Sequence, residues 1–568
     1  MSSNVSNTPF KIWVVADFSS GLAENSHSNA LNVNKANLSE VLASFNLQLV
    51  LTLQDFVPYS HTDSLVNIPV KRINDFSPEQ IANNIELLQP YLKVSQLIQQ
   101  CLDNAIDENT LREKLAEYIS VPVLGKNIET LYYELDSQVN ASVPQKSADD
   151  DSVDRLLGML DLGESSEDTS EPAVDSGSRA TLQHSLNEIK RPLFVRLNNI
   201  LHHQQFQALE AAWRGLAFLL MEDSKNIEVS IVDSNKTQAS YHIHECLEAT
   251  ADEALPNLVI YNYQLDCIDA DLKLLEDLTL IADALQVQSV INLSNNFFGV
   301  HAASELNGLT SLAPIFAKTP FVKWNSLRTR PSARWMACSF NQVLLRQVFS
   351  HHNNMLGFNE RVQASEDLLF GNASWFLARL IAKSVNDTGW PCQLTPPTAP
   401  VISTLPMHLS EMGLNKTAQL SLESYVDETL AEQLVEEGVI VLQCRENQDT
   451  AFVKQLPLFF KLPKYRDELA NLKAQSQNTL EFQLLSGWVV SVILVNRASF
   501  MMSGDVEQVK QHLFNLLANM LQDSGEGATV NLDIAKDASD PGHYLAKITL
   551  QFGRQVLNGV LLNFQLSL

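Results

Sequence analysis

Glycine and basic residues are both scarce in this chain of 568 residues. There are 20 glycines, about half of what average protein composition would give, which argues against glycine-rich repeats and against loops that cradle a phosphate. Lysine and arginine total 39 against 66 aspartates and glutamates, so the net charge is −27 and the pI is about 4.8. Binding to nucleic acid or to an anionic membrane needs clustered bases, and this composition therefore argues against both.

Long apolar runs and paired cysteines are missing as well. The longest apolar stretch, near Gly487–Val495, is far shorter than the ~20 residues of a membrane span. The first ten residues, MSSNVSNTPF, lack the basic and apolar regions of a secretory leader. The six cysteines are widely spaced and form no CxxC pair, as expected for reduced thiols. These features predict a cytoplasmic protein without membrane insertion.

Catalytic motifs are absent from the sequence. It has no P-loop, no GxGxxG motif after a strand, no GxSxG nucleophile motif and no HExxH metal motif. His242 and His244 would point the same way in a strand, but no second group of ligands has a matching spacing. The sequence therefore predicts no catalytic residues, no metal and no cofactor, and an enzyme of unknown type is the least favoured alternative.

The first part of the chain alternates predicted strands and helices. Phe10–Ala16 is an apolar run of strand length, and Phe45–Leu53 alternates apolar and polar residues. Ser77 followed by Pro78 predicts a helix start. One continuous helix is expected to follow, and a second helix is expected over residues 110–120. The first of these helices has four apolar residues on one face, namely Ile81, Ile85, Leu88 and Leu92.

An acidic segment follows, in which residues 147–178 carry ten acids and one base, Arg155. This composition predicts a disordered linker, because it offers too little apolar surface to bury. A short helix is predicted within it over residues 152–162. Its apolar residues have i, i+3, i+4 and i+7 spacing and form one face that needs a groove to dock in; they are Val153, Leu156, Leu157 and Leu160.

The remainder of the chain predicts a mixed α/β (α+β) fold that ends in a β-hairpin. Helical periodicity alternates with short apolar strands, and helices are expected to dominate up to Trp390. At the end, two alternating runs flank Asn558-Gly559, a strong hairpin signal. The last strand must pair within the molecule or with a neighbour. The apolar residues predicted for such pairing are Ile548, Leu550, Val560, Leu562, Phe564 and Leu566.

The segment from Ile200 to Leu216, ILHHQQFQALEAAWRGL, closely resembles the signature of the type VI secretion sheath large subunit, the TssC or VipB family. Further stretches resemble the same family in the same order: Lys323–Arg328, Leu344–Arg346, Phe370–Ala373 and Thr388–Trp390. The resemblance implies a structural role for the signature residues. They are His202, His203, Phe206, Leu209, Glu210, Trp213, Arg214 and Gly215.

The first part of the chain is similar to the sheath small subunit, the TssB or VipA family. The similarity is carried by Val14–Gly21 and by Asn74–Pro78, which resemble the family stretches GvLgDfSG and mdDFsPe. We therefore predict a small-subunit-like domain over residues 1–140, a linker over 141–179 and a large-subunit-like domain over 180–568. The two subunits are ordinarily separate proteins, and fusion fixes them at a 1:1 ratio.

The resemblance implies a mechanical role and not a catalytic one. Sheath subunits stack around an Hcp-like inner tube and contract, and a ClpV-like AAA+ unfoldase then disassembles them. The implied partners are thus other sheath subunits, the inner tube, the unfoldase, and baseplate or cap components. The helix carrying Val153 to Leu160 lies where the unfoldase binds in the family. Its alternative role is to fold back on its own domain.

Departures from the family pattern leave two structural roles open. The chain begins about ten residues before its first strand, so the strand that small subunits donate to a neighbour is expected to be missing. This favours an accessory that caps, initiates or limits a sheath. The alternative is a conventional sheath subunit that polymerises and contracts. The family's Pro-Tyr after the arginine of its LLR motif is also replaced, by Val348-Phe349.

Overall fold

The computed structural model describes residues 8–21, 30–53, 64–119, 124, 127–133, 135, 176–308, 311–411, 416–463, 465–501, 505–536 and 544–567. The predicted linker helix at 152–162 lies outside the described residues, as do its apolar residues. We call residues 8–135 the N-terminal segment and residues 176–567 the C-terminal segment.

The strands are β1 (Phe10–Ala16), β2 (Leu31–Val33), β3 (Leu47–Leu53), β4 (Ser64–Val70), β5 (Ile227–Asp233), β6 (Leu258–Leu265), β7 (Gln288–Leu293), β8 (Met336–Phe340), β9 (Gln342–Leu344), β10 (Phe370–Asn372), β11 (His408–Glu411), β12 (Thr417–Leu420), β13 (Val439–Val441), β14 (Gln443–Cys444), β15 (Ala451–Phe452), β16 (Thr529–Lys536), β17 (Tyr544–Gln551) and β18 (Leu561–Ser567).

The α-helices are α1 (Leu38–Ser44), α2 (Pro78–Asn84), α3 (Gln89–Leu102), α4 (Glu108–Leu115), α5 (Ser176–Leu201), α6 (Gln204–Leu219), α7 (Ala239–Glu248), α8 (Asp269–Leu285), α9 (Ala313–Phe316), α10 (Phe321–Arg328), α11 (Ala373–Thr388), α12 (Glu428–Glu436), α13 (Glu468–Gln477), α14 (Leu480–Met501) and α15 (Val506–Leu521). The mixed α/β fold class predicted from the sequence is confirmed.

A seven-stranded sheet joins the two segments. Its strand order is β13-β8-β7-β6-β1-β5-β2, so β1 of the N-terminal segment lies between two strands of the C-terminal segment. It runs parallel to both, with Phe10 opposite Ile227 and Ile12 opposite Leu258. All its residues except Lys11 are buried, which explains the nearly continuous apolar run, since strands of parallel sheets are covered on both faces.

Two hydrophobic cores lie on the two faces of this sheet, and alternate residues of β1 enter one or the other. Val14 belongs to the core that also contains α6 and α11. Val15 belongs to the core on the other face, with α7, α8, α10 and α12. The domain limits at 140 and 180 stay predictions, but the described parts of both segments share a core and do not form independent ones.

The single helix expected after Ser77 is two helices, which corrects the sequence interpretation. Ser77 does cap α2, since its hydroxyl accepts a hydrogen bond from the Gln80 N–H. The helix then ends at Asn84, and Ile85 is extended with φ −98° and ψ 114°. Pro90 lies in the first turn of α3; proline has no N–H and clashes with the preceding turn, so a helix start at this residue is favoured over a helix that continues through it.

Two further sequence interpretations change. His242 and His244 lie on helix α7 and not on a strand, so their i, i+2 spacing points them apart. Strands β8, β9 and β10 interrupt the region before Trp390 that was expected to be mainly helical. All six cysteines are free thiols. None of the described helices is long and apolar enough to cross a membrane.

The C-terminal hairpin forms as predicted and gains a third strand. Strand β17 pairs antiparallel with β18 on one side and with β16 on the other. The turn before β18 contains Leu557, Asn558 and Gly559, all with positive φ; asparagine and glycine tolerate this conformation best. Helix α15 packs against this small sheet, and Trp390 contacts Phe552 of the same unit with ring centroids 5.4 Å apart.

Cleavage of the chain within residues 141–175 is expected to leave the two fragments associated, because β1 pairs along both of its edges inside the sheet of the other fragment. An engineered protease site in this range and gel filtration after cleavage test this. A 176–568 fragment expressed alone has a gap between β5 and β6, and it should be insoluble unless residues 1–140 are co-expressed. Fragments that separate in plain buffer would contradict the expectation.

Candidate functional site: the contact between the two segments and the C-terminal sheet edge

The signature stretch begins at a junction between two long helices. His203 precedes α6, and its ring nitrogen accepts a hydrogen bond from the Gln205 N–H at 3.3 Å. His202 points the other way, with Nε2 at 3.3 Å from Glu360 Oε1 and Nδ1 at 3.2 Å from Asp367 Oδ1. His203 thus caps α6, whereas His202 connects the start of this helix to the loop before β10.

Two aromatic residues of α6 contact the small-subunit-like motifs. Trp213 is fully buried, donates from Nε1 to the Phe18 carbonyl at 3.0 Å, and packs against the Phe18 ring at 5.0 Å between centroids. Phe45 approaches the same indole edge-on at 5.3 Å. Two helical turns before Trp213, the ring of Phe206 packs against the ring of Phe76, with 5.5 Å between the centroids. The large-subunit signature is therefore the surface on which the small-subunit motifs are seated.

The motif around Phe18 is also held from the sheet. Asp233, at the end of β5, accepts hydrogen bonds from the N–H groups of Phe18 at 2.8 Å and Ser19 at 3.2 Å. Asp17 accepts from the Gly21 N–H at 2.9 Å. Burial raises the pKa of both aspartates above its usual value. The turn after β1 is thus fixed by carboxylates from both segments.

A buried ionic network connects α6 to the chain after β9. Arg346 lies between Glu210, at 3.1 Å, and Glu360, at 2.7 Å, and Arg214 bonds Glu210 at 2.6 Å. Burial by itself would lower the pKa of Arg346, but the charges of Glu210 and Glu360 outweigh it and raise this pKa. Breaking such a buried pair costs about 3–5 kcal/mol, because one charge is left uncompensated.

Glu360 is the carboxylate most strongly bound in this network. Burial alone would raise its pKa, but hydrogen bonds from His202 and Arg346 and the charge of Arg346 lower it to about 2. The Phe349 N–H adds a further hydrogen bond at 2.9 Å. Glu210, in contrast, has one oxygen, Oε2, with no hydrogen-bond partner among the described residues.

Gly215 and Leu209 complete the packing of α6. A Cβ at Gly215 would lie 2.4 Å from Cε2 of Trp375 on α11, so the two helices approach closely only because this residue is glycine. Leu209 is fully buried in the same core. Trp375 is fixed in turn, since its Nε1 donates to Asn262 Oδ1 at 2.8 Å. The signature residues therefore build a rigid interface and not an open site.

A second arginine holds the other core together. Arg328, in the stretch Lys323–Arg328, is 2% exposed. It donates to the carbonyls of Phe459 at 3.3 Å and Glu436 at 3.0 Å and forms an ion pair with Glu437. Burial lowers the pKa of Arg328, and Glu437 opposes this shift. These three partners belong to the C-terminal segment.

The residues predicted for strand pairing divide between an inner and an outer strand. Ile548 and Leu550 lie on β17, which is paired on both sides, so their backbone is already engaged. Leu562, Phe564 and Leu566 lie on β18, which has no further strand beside it among the described residues. Val560 precedes β18, and its carbonyl accepts from the Phe552 N–H at 3.0 Å. Among the residues predicted for pairing, those of β18 therefore lie on an open edge; the other edge strand of this described sheet is β16.

The sequence interpretation did not identify Asp233, Glu360 or the tight contact of Arg346 with both glutamates. An arginine directly after apolar residues, as in Leu344-Leu345-Arg346, is the one signal that would point to a buried pair, because charges are rarely buried alone. Among the described residues, no group of three or more His, Cys, Asp or Glu is arranged to hold a metal.

Trp213→Ala is expected to lower the free energy of unfolding by about 3–5 kcal/mol, because it leaves a large cavity between the segments and an unsatisfied Phe18 carbonyl. Urea titrations followed by far-ultraviolet circular dichroism measure this. Tyr241→Ala, at a position 62% exposed, is the matched control and should stay within about 0.5 kcal/mol of the parent. Equal stability of the two variants would show that the indole does not join the segments.

Glu360→Gln is expected to flatten the acid dependence of stability. A carboxyl whose pKa is lower in the folded state stabilises the fold above its unfolded pKa of about 4.3, and this contribution disappears as the pH falls towards 2. For this residue the loss amounts to about 3 kcal/mol. Urea titrations at pH 5, 4 and 3 should give a shallower slope for the variant, whereas Glu432→Gln, at an exposed position, should keep the parental slope. Identical slopes would refute the assignment.

Two family models match the chain, one on each side of the acidic segment. Residues 2–132 match VipA, described as "Type VI secretion system, VipA, VC_A0107 or Hcp2". Residues 183–254 and 256–456 match VipB, described as "EvpB/VC_A0108, tail sheath N-terminal domain". The matched ranges contain β1, the turn after it (Asp17–Gly21) and the whole of α6, which are the elements that join the segments.

A curated relative and several solved structures are also similar. The type VI secretion system sheath protein TssC1 of Pseudomonas aeruginosa is 21% identical over 241 residues, which cover 38% of this chain and 48% of the relative. The chain thus spans about half the length of the curated relative it matches.

Two structures of the anti-feeding prophage are similar as well. Its baseplate matches at 10% identity and a TM-score of 0.34, over 57% of this chain and 71% of that one. Its contracted helical sheath matches at 9% identity and a TM-score of 0.32, over 62% and 76%. The sheath tail protein Lin1278 of Listeria innocua matches at 9% identity and a TM-score of 0.30, over 58% and 59%.

The two family models and the seating of one matched region on the other lead to one assignment: this chain belongs to the type VI secretion tail-sheath families, with VipA in its N-terminal segment and VipB in its C-terminal segment.

Proposed function

We infer that this protein is a structural, non-enzymatic component of a type VI secretion contractile sheath, in which one chain supplies both sheath subunits. The observation that carries this is the position of β1 between β5 and β6. Such pairing makes the VipA part indispensable to the VipB fold. A covalent link also raises the local concentration of the two parts, so a complete unit forms at any expression level.

Assembly into a larger structure needs a surface that repeats from one copy to the next. The free edge of β18 offers unpaired N–H and C=O groups, and an edge of this kind binds another strand by main-chain hydrogen bonds. Leu562 is buried beneath this edge, while Phe564 and Leu566 are half-buried, so an added strand would extend an existing core. We propose a strand from a neighbouring sheath subunit as the occupant.

Further partners follow from this role. They are other sheath subunits, an Hcp-like inner tube, baseplate or cap components, and a ClpV-like unfoldase that binds the 152–162 segment in the cytoplasm. The accessory role that caps, initiates or limits a sheath stays a prediction beside that of a conventional sheath subunit. Electron microscopy of the purified protein separates the two: long contractile tubes formed by this chain alone would refute the accessory role.

A proline is expected to block assembly without unfolding the protein when it replaces the one of two adjacent β18 residues whose N–H points away from β17. N–H groups alternate along an antiparallel edge strand, so one of residues 563 and 564 directs its N–H away from β17. Asn563→Pro and Phe564→Pro therefore form a matched pair. The variant with the parental melting temperature should fail to form assemblies in sedimentation and electron microscopy, whereas the other should unfold the sheet. Normal assembly by the stable variant would refute strand addition at β18.

A further inference from the structure

A cleft of about 870 Å³ lies beside β18, at the end of the large sheet opposite the turn after β1. Its floor is formed where three parallel strands begin, by Asn257 before β6, Gln288 of β7 and Trp335 before β8. Helix α14 and the end of α13 form one wall, and β18 forms part of the other. We call this the β18 cleft. Its volume is in the range of sites that bind ligands.

A buried acceptor without a partner lies in the floor of this cleft. Gln288 is 2% exposed, and its Oε1 has no hydrogen-bond partner among the described residues, although its Nε2 reaches the Ser289 carbonyl at 3.5 Å. Buried polar atoms are nearly always paired, and an unpaired one is unfavourable. The floor of the cleft therefore calls for a ligand that donates a hydrogen bond.

Positive charge dominates the cleft although the chain is strongly acidic. Among the described residues that line it, Arg334, Lys473 and Arg497 are basic and Asp252 is acidic. The chain as a whole carries 66 acids and 39 bases. Arg334 lies over the Phe460 ring at 4.7 Å, which fixes its position at the rim. A ligand with negative charge is favoured here, because the cleft walls reduce solvent screening.

The walls also expose apolar surface that continues onto α13. Leu255, Leu285, Val490 and Leu494 are half-buried and line the cleft. Helix α13 has no buried residue. Its Leu469 and Leu472 are 75% and 57% exposed next to Lys473 of the rim. A contiguous apolar surface of this kind, edged by charges, is typical of a site that binds a peptide or protein.

We propose that the β18 cleft binds residues 153–161 of the same chain. This segment, VDRLLGMLD, combines one apolar face with acids at both ends, within a stretch of ten acids and one base. Its apolar face matches the leucine-lined wall, and Asp154 and Asp161 match the three bases of the rim. The first turn of the helix predicted here would have free N–H groups, which are donors of the kind that Gln288 lacks.

The length of chain between the segment and α5 permits this docking. Fourteen residues separate Asp161 from Ser176, where α5 begins. They reach up to roughly 50 Å when extended, which exceeds the diameter of a small domain. A tethered segment binds at an effective concentration in the millimolar range, so modest affinity is sufficient for occupancy.

Docking in the cleft has a regulatory consequence. The face that would enter the cleft is the face proposed to bind an unfoldase, so one helix cannot serve both at once. Strand addition at β18 alters a wall of the cleft and would bias the segment towards release. The docking itself does not depend on the sheath role, since it takes place within a monomer, and its failure would leave the assembly proposal intact.

A fluorescent peptide of residues 150–164, titrated by anisotropy, tests the proposal in the full chain. In the chain carrying Leu156→Asp and Leu160→Asp, the cleft is vacated, and the peptide should bind at least tenfold more tightly than to the unaltered chain. Adding Lys473→Glu and Arg497→Glu should weaken this binding at least tenfold. Lys225→Glu together with Lys318→Glu, an equal charge change at two exposed residues outside the cleft, should leave it unchanged, and a scrambled peptide should not bind.

Equal binding to the vacated and unaltered chains, or no binding to either, would overturn the proposal. A photo-crosslinking residue in place of Leu494 provides a measurement that does not rely on charge reversal. In the monomer fraction it should attach to a peptide containing residues 153–161. Attachment only to another segment, or only between two copies, would also overturn it. Thermal melts of each variant confirm that the fold is retained.

Discussion

Strand β1 lies in the interior of the large sheet, where both of its edges pair with strands of the C-terminal segment, and the rest of the molecule is arranged around it. Its alternate side chains enter the cores on the two faces, so neither core closes without it. The turn that follows presents Phe18 to Trp213 and its N–H groups to Asp233. A single short strand thereby converts two family modules into one folding unit.

The ionic network of α6 contributes more to the orientation of this helix than to the stability of the contact between the segments. Desolvating Glu210, Arg346 and Glu360 costs several kcal/mol per ion, which their mutual attraction offsets only when distances and angles are well matched. Apolar contacts such as Phe206 with Phe76 have no comparable directional requirement. We therefore assign to the aromatic contacts the larger share of cohesion, and to the charges the setting of α6 relative to the loop before β10.

Local patterns in the sequence predicted the elements well, and long-range pairing lay beyond them. The C-terminal hairpin was predictable because Asn558-Gly559 and the flanking alternation are neighbours in sequence. The burial of β1 was visible in its apolar run, but its partners are more than 200 residues away and leave no local trace. The apolar periodicity after Ser77 predicts one long helix, whereas Pro90 lies in the first turn of a separate helix. The buried carboxylates have no periodic signal at all.

The wide sequence separation of β1 from its partners also shapes how the protein is made. Phe10 pairs with Ile227, so β1 leaves the ribosome more than 200 residues before the strands that flank it. At typical rates of synthesis this interval is roughly 10–40 s. Throughout it, β1 lacks the two strands that flank it in the fold, and an apolar strand with unpaired edges is prone to aggregation. In the fused chain, β1 can pair as soon as β5 and β6 have been synthesised. Two separate subunits must in addition find each other by diffusion.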